Sequence, residues 1–175
     1  MTTQTQPEVW LRGPIDGIPP LLQPVAHALL QCREEITAAV AGLTADHLWA
    51  RPGNVGSIGF HLRHAAGSLD RLFTYARGER LSADQRAALA AEEHPDLAPN
   101  VGARLVAAFD EQVERALEQL RATTDAMLLE FRGVGRAQMP STVLGLLFHA
   151  AEHTQRHAGQ IATTVRIVTA SPDRA

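Results

Sequence analysis

From Val101 to Leu120 an apolar side chain returns every three or four residues, at Val101, Leu105, Phe109, Val113, Leu117 and Leu120. At 3.6 residues per turn that spacing gathers all six on one stripe of an α-helix, whereas an extended chain would scatter them over both faces. A lone stripe has nothing to bury against, so the chain must supply further helices with stripes of their own. Three other segments do. Leu22, Val25, Leu29, Ile36 and Val40 keep helical spacing in a helix expected from about Leu21 to Ala41, opened by Pro19-Pro20. Leu62, Ala65, Ala66, Leu69, Leu72, Phe73 and Ala76 line a second helix from about Ile58 to Ala76, with Ser57 as its N-cap and Gly78 as its stop. The last helix runs from about Thr142 to Val168, with Val143, Leu147, Ala151, Thr154, Ala158 and Val165 on its apolar face.

Shorter pieces fill the connections. A turn of helix is expected at Thr44–Trp49, a loop at Arg51-Pro52-Gly53-Asn54, and a short amphipathic helix at Ser82–Glu92 inside a long connection that Pro95–Pro99 closes. The third stripe carries on to Met127 and Phe131, past an irregularity at Thr123-Thr124, before Gly133 and Gly135 break it. Alanine (29) and leucine (21) supply 50 of the 175 residues, and both favour helix. β-branched runs alternating with period two are missing, so no strand can be placed. The expected fold is all-α: a four-helix bundle with a long crossover between helices two and three. Residues 1–18 read as an irregular N-terminal arm, 19–168 as the bundle and 169–175 as a frayed tail.

Charge and cysteine narrow the function. All 16 basic residues are arginine, and against 19 acids they leave a net charge of −3, which argues against a nucleic-acid partner. A lone Cys32 excludes a disulfide framework or a Cys-based zinc site within one chain. Met1–Pro7 has neither the basic nor the apolar region of a signal peptide, and the uncharged run Ala137–Ala151 is too short and polar to span a bilayer. A cytoplasmic protein without a membrane partner is the expectation.

Histidine is the unusual residue. Five of the eight fall in two clusters, His61 with His64 on the second helix and His149, His153 and His157 on the last. Each step of four advances only about 40° around a helix, so the last three share one stripe along the edge of the buried face. A single histidine there is ordinarily just a hydrogen-bonded side chain. An i, i+4 pair of imidazoles, however, can chelate a metal without backbone distortion, and a third ligand can come from His61 or His64 on the facing helix. His149-Ala150-Ala151-Glu152-His153 also matches H-x-x-E-H, the inverted zinc-protease pattern, which needs a distal glutamate ligand and a substrate-enclosing architecture. Di-iron carboxylate bundles are excluded, because no Glu has a His three residues later.

The runs Leu48–Ser68 (LWARPGNVGSIGFHLRHAAGS) and Leu146–Ile161 (LLFHAAEHTQRHAGQI) resemble the DinB-like (damage-inducible) family of four-helix bundles, over about Pro19 to Ile167. The resemblance implies a divalent metal, zinc or nickel, held by three histidines that map to His64, His153 and His157. His61 then becomes a histidine behind the ligands, and His149 a reserve ligand. The family includes transferases and isomerases that use a low-molecular-weight thiol. No feature of this sequence matches a particular thiol.

Three neutral imidazoles leave a metal its full charge and an open position, the arrangement of catalytic zinc. A bound thiol would ionise there, and so would water. The reading is therefore a metal-dependent enzyme acting on a small-molecule substrate, by thiol S-transfer or hydrolysis. The alternatives are a bundle that binds a metal or small ligand without turnover, and a structural protein whose histidines satisfy one another. Glu152, Gln160, Ser68 and Tyr75 are candidates for hydrogen bonds to ligands or substrate, and Arg71 and Arg136 for an anionic substrate. Phe148 falls opposite the apolar face, which points to a homodimer.

Overall fold

Side-chain caps set where the helices begin. The amides of Phe60, Gln85 and Gly145 donate to the hydroxyls of Ser57 (3.1 Å), Ser82 (3.0 Å) and Thr142 (3.0 Å), satisfying donors that a helix start leaves open. In the computed structural model, which describes residues 6–170, the helices are α1 (Gln23–Val40), α2 (Ala45–Trp49), α3 (Ile58–Ala76), α4 (Ala83–Ala90), α5 (Val101–Ala122) and α6 (Val143–Thr169). The long helices α1 and α3 each pack against both α5 and α6, which closes a four-helix bundle. Leu29 and Ile36 of α1, Leu62, Leu69 and Phe73 of α3, Phe109 and Leu120 of α5, and Leu147 and Ile161 of α6 are fully buried at its centre. Each such side chain contributes roughly 1.5–3 kcal/mol relative to exposure, so the stripes read from the sequence hold the fold together.

Two expectations need correction. The third long helix stops at Ala122 rather than running on to Phe131. Thr123 turns extended, and its hydroxyl donates to the Gln119 carbonyl (2.8 Å), one of the acceptors a helix end leaves free. The chain then forms a small antiparallel hairpin, β1 (Phe131–Val134) with β2 (Met139–Thr142), where no strand was expected, and the all-α four-helix bundle stands around it. Gly133 and Pro140 face each other in it, residues that give no strand signal. Arg132 anchors the hairpin by donating to the Ala76 carbonyl at the end of α3 (2.8 Å).

The arm is also more regular than expected. Val9–Arg12 forms a 3-10 turn, Val9 is buried, and the Val9 amide donates to Gln31 of α1 (2.9 Å). Of the tail, residues 171–175 lie outside the described residues. The crossover from α3 to α5 is laid along α3. Gln85 donates to Asp70 (2.7 Å), Arg63 donates to the carbonyls of Ala91 (3.1 Å) and His94 (2.6 Å), and Trp49 donates to the Asp96 carbonyl (2.8 Å). Among the described residues, no helix is long and apolar enough to cross a membrane.

Candidate metal centre

Antiparallel packing of α3 on α6 sets His61 against His157 and His64 against His153. His153 Nε2 lies 3.0 Å from His64 Nε2 and 3.2 Å from His157 Nε2. The three rings each offer a ligand atom within 4.8 Å of the others, so this cluster could hold a metal ion. The spacing suits one: zinc–nitrogen bonds of about 2.0–2.1 Å in a tetrahedral shell separate ligand nitrogens by about 3.3 Å. Without a cation, two short contacts converge on His153 Nε2, and a neutral ring can bring only one proton to them.

The outer nitrogen of His64 strengthens the fit. His64 Nδ1 is 2.7 Å from the Glu92 carboxylate, an acceptor, so its proton sits there and Nε2 presents a lone pair to the cluster. His157 Nδ1 is 2.9 Å from His61 Nδ1, and His153 Nδ1 is buried without a hydrogen-bond partner among the described residues. Gly56 makes room for His61, since a Cβ there would lie 2.9 Å from its Cε1 and Nε2.

Burial favours the neutral form, the one that binds metal, at His61, His153 and His157. It lowers the pKa of His61, with His64 adding to the effect. It lowers His153 as well, reinforced by the neighbouring His64 and Arg156. His157, 8% exposed, is pushed down to about 3, first by burial and then by His64, His153 and His61. A folded pKa below the unfolded value of about 6.5 means the unfolded chain takes up the proton first. The metal-free protein is therefore expected to lose stability as the pH falls from about 6.5 toward 3. Urea denaturation at about pH 7.5 and about pH 5 measures the loss, and His157→Gln should shrink it. An equal drop in both proteins would contradict this.

The other sequence candidates lie apart from the cluster. His149 is exposed, with Nδ1 3.4 Å from Glu152, whose carboxylate is bonded by Arg156 (2.6 Å). That separates the two histidines of H-x-x-E-H: His153 points into the cluster, and His149 does not join it. Ser68 is buried, but its hydroxyl donates to the Ala65 carbonyl (3.2 Å), while Gln160 and Arg136 are exposed. Tyr75 is half-buried against the core. Phe148 is 63% exposed, as its place on the helix requires.

The sequence reading missed Glu92. The residue is 5% exposed, and its carboxylate takes hydrogen bonds from both His64 and Arg71, the latter at 2.8 Å, so Arg71 is engaged inside the protein rather than free for an anionic substrate. Burial opposes its ionisation, but the hydrogen bonds from His64 and Arg71 and the positive charge of Arg71 outweigh it and hold its pKa below the usual carboxylate range. One trace was present in the sequence. Gly67 sits inside a helix where glycine costs about 1 kcal/mol, and a Cβ there would lie 2.6 Å from Arg71 Nη1 and 2.8 Å from Glu92 Oε1.

The DinB superfamily model matches residues 28–161, which covers most of the bundle and all five histidines of the two clusters. The chain belongs to the DinB superfamily. A conserved protein of Enterococcus faecalis, known from its crystal structure, is similar in fold to this DinB chain: TM-score 0.64 at 17% identity, covering 84% of this chain and 96% of that one. No curated protein sequence matches this DinB chain.

Proposed function

We propose that this DinB-superfamily protein is a metal-dependent enzyme in which His64, His153 and His157 hold one divalent ion, zinc or nickel. The observation that carries the reading is the convergence of three imidazole nitrogens, 3.0 and 3.2 Å apart, on rings that burial favours as neutral at His153 and His157. With a divalent ion bound, the uncompensated charge supplies Lewis acidity for thiol S-transfer or hydrolysis of a small molecule. The protein's own part is orientation. Glu92 fixes the tautomer of His64, His61 contacts the outer nitrogen of His157, and Phe60 stacks on the His64 ring with centroids 5.4 Å apart. His157 is buried while His64 and His153 are half-buried, so a substrate approaches along the edge of these two rings. In this reading the protein works in the cytoplasm, with a low-molecular-weight thiol as co-substrate. A homodimer through the Phe148 face completes it, and a mass of 18.9 kDa by light scattering at every concentration would remove that element.

The alternative is a bundle that binds a metal or small ligand without turnover, and two grooves away from the three histidines, of about 750 Å³ between α1 and α5 and about 520 Å³ beside Trp10 and Phe148, could take such a ligand. Elemental analysis of protein purified without a histidine tag, then thermal shift and turnover with a panel of thiols, separates the two. One equivalent of metal with thiol-dependent turnover is the expected result. Metal without turnover would favour the binding bundle, and no metal after reconstitution with zinc, nickel or manganese would overturn the enzyme and leave at most a bundle that binds a small ligand.

A further inference from the structure

We infer that Glu92 is a positioning residue for the metal centre, through which metal binding and docking of the crossover between α3 and α5 become one coupled equilibrium. The inference rests on the three-histidine reading above. It starts from where the carboxylate comes from: not from α3 or α6, which carry the rings, but from just beyond α4, 28 residues after His64. Glu92 divides its two oxygens, Oε2 to His64 Nδ1 at 2.7 Å and Oε1 to Arg71 Nη1 at 2.8 Å. His64, Gly67 and Arg71 are spaced three and four apart, so they share one face of α3. Gly67 is the notch in that face, since a Cβ would meet both partners below 3 Å. The carboxylate can lie there only while the crossover is docked, and Arg63 and Trp49 hold that segment on either side of Glu92.

Fixing the outer nitrogen of a ligating imidazole orients its ring and raises its basicity, and losing such a partner typically costs about 10–100-fold in metal affinity. Coupling is reciprocal: if docking tightens metal binding by some factor, metal tightens docking by the same factor.

The test uses the full-length chain and zinc, with affinity read by chelator competition and the site by cobalt(II) absorption. Glu92→Ala is expected to weaken zinc about 10–100-fold and alter the cobalt spectrum, with helix content retained. Glu92→Gln should lose less, because its amide oxygen still accepts from His64. Glu93→Ala, at the exposed neighbour, should stay within about twofold. Zinc should slow hydrogen exchange of the amides from Ser82 to Asp96 in the wild type but not in Glu92→Ala. Should Glu92→Ala fail to fold, Gly67→Ala serves instead, since its methyl meets side-chain ends rather than backbone and should weaken zinc in the same way. Wild-type zinc binding with Glu92→Ala unaffected, or crossover exchange indifferent to zinc, would overturn the inference and leave the metal reading standing. A wild-type chain that binds no zinc would overturn the metal reading first.

Discussion

His64→Ala, His153→Ala and His157→Ala are each expected to lower metal affinity by roughly two to three orders of magnitude. Structural zinc sites gain about 10–16 kcal/mol from four ligands, so one imidazole is worth about 2.5–4 kcal/mol. A three-ligand site has no spare donor to recover it. His61→Ala should keep the metal with a smaller loss, because His61 touches only the outer nitrogen of His157. His149→Ala should keep the metal, since that ring, 5.5 Å from the His153 ring between centroids, is exposed and supplies no atom to the cluster. His27, His47 and His94 lie away from it: His27 bonds the Gly13 carbonyl, His47 caps α2, and His94 follows α4. Folding should survive every substitution, because the apolar stripes are complete without the rings. The metal-bound wild type should still gain about 2.7 kcal/mol over its apo form at a hundredfold excess over Kd. Isothermal titration of the variants settles the order. If His149→Ala strips the metal and His157→Ala does not, the chelating pair lies one turn earlier and the H-x-x-E-H reading returns.

What the sequence made legible was local or periodic. The apolar stripes located α1, α3, α5 and α6, Ser57 marked the start of α3, and the i, i+4 histidines on α6 were readable because helical geometry fixes their relation. The same reliance on period carried the third helix too far. Met127 and Phe131 match its stripe by number, yet Thr123 had already ended it, and Phe131 is 64% exposed in a strand. The hairpin escaped because four-residue strands containing Gly133 and Pro140 draw their pairing from contacts with the ends of α3 and α6, not from propensity. Glu92 escaped for a related reason. Nothing in its neighbourhood distinguishes it from Glu93, and its role arises from a fold in back onto α3. The sequence could show which histidines share a face, but not which carboxylate would reach them.

Arg71→Ala is expected to be the most destabilising substitution around the site, by about 3–5 kcal/mol in the metal-free protein. The Arg71 and Glu92 side chains are 10% and 6% exposed, so removing the guanidinium leaves a carboxylate inside the protein with only His64 to answer it. The protein then has two ways out, and both cost: Glu92 takes up a proton, or the crossover lifts and exposes the face of α3 it covers. Replacing both partners is a different matter. Arg71→Met with Glu92→Leu keeps the volume and leaves no orphaned charge, and buried ion pairs exchanged for apolar groups are often neutral or better. The double variant should therefore recover stability to within about 1 kcal/mol of wild type in urea denaturation. Its zinc affinity should stay as low as that of Glu92→Ala, since no acceptor remains for His64 Nδ1. A double variant that is stable and metal-poor would place the value of this ion pair in the ligand it orients. Arg71→Ala within about 1 kcal/mol of wild type would instead mean that the carboxylate finds water where the structure buries it.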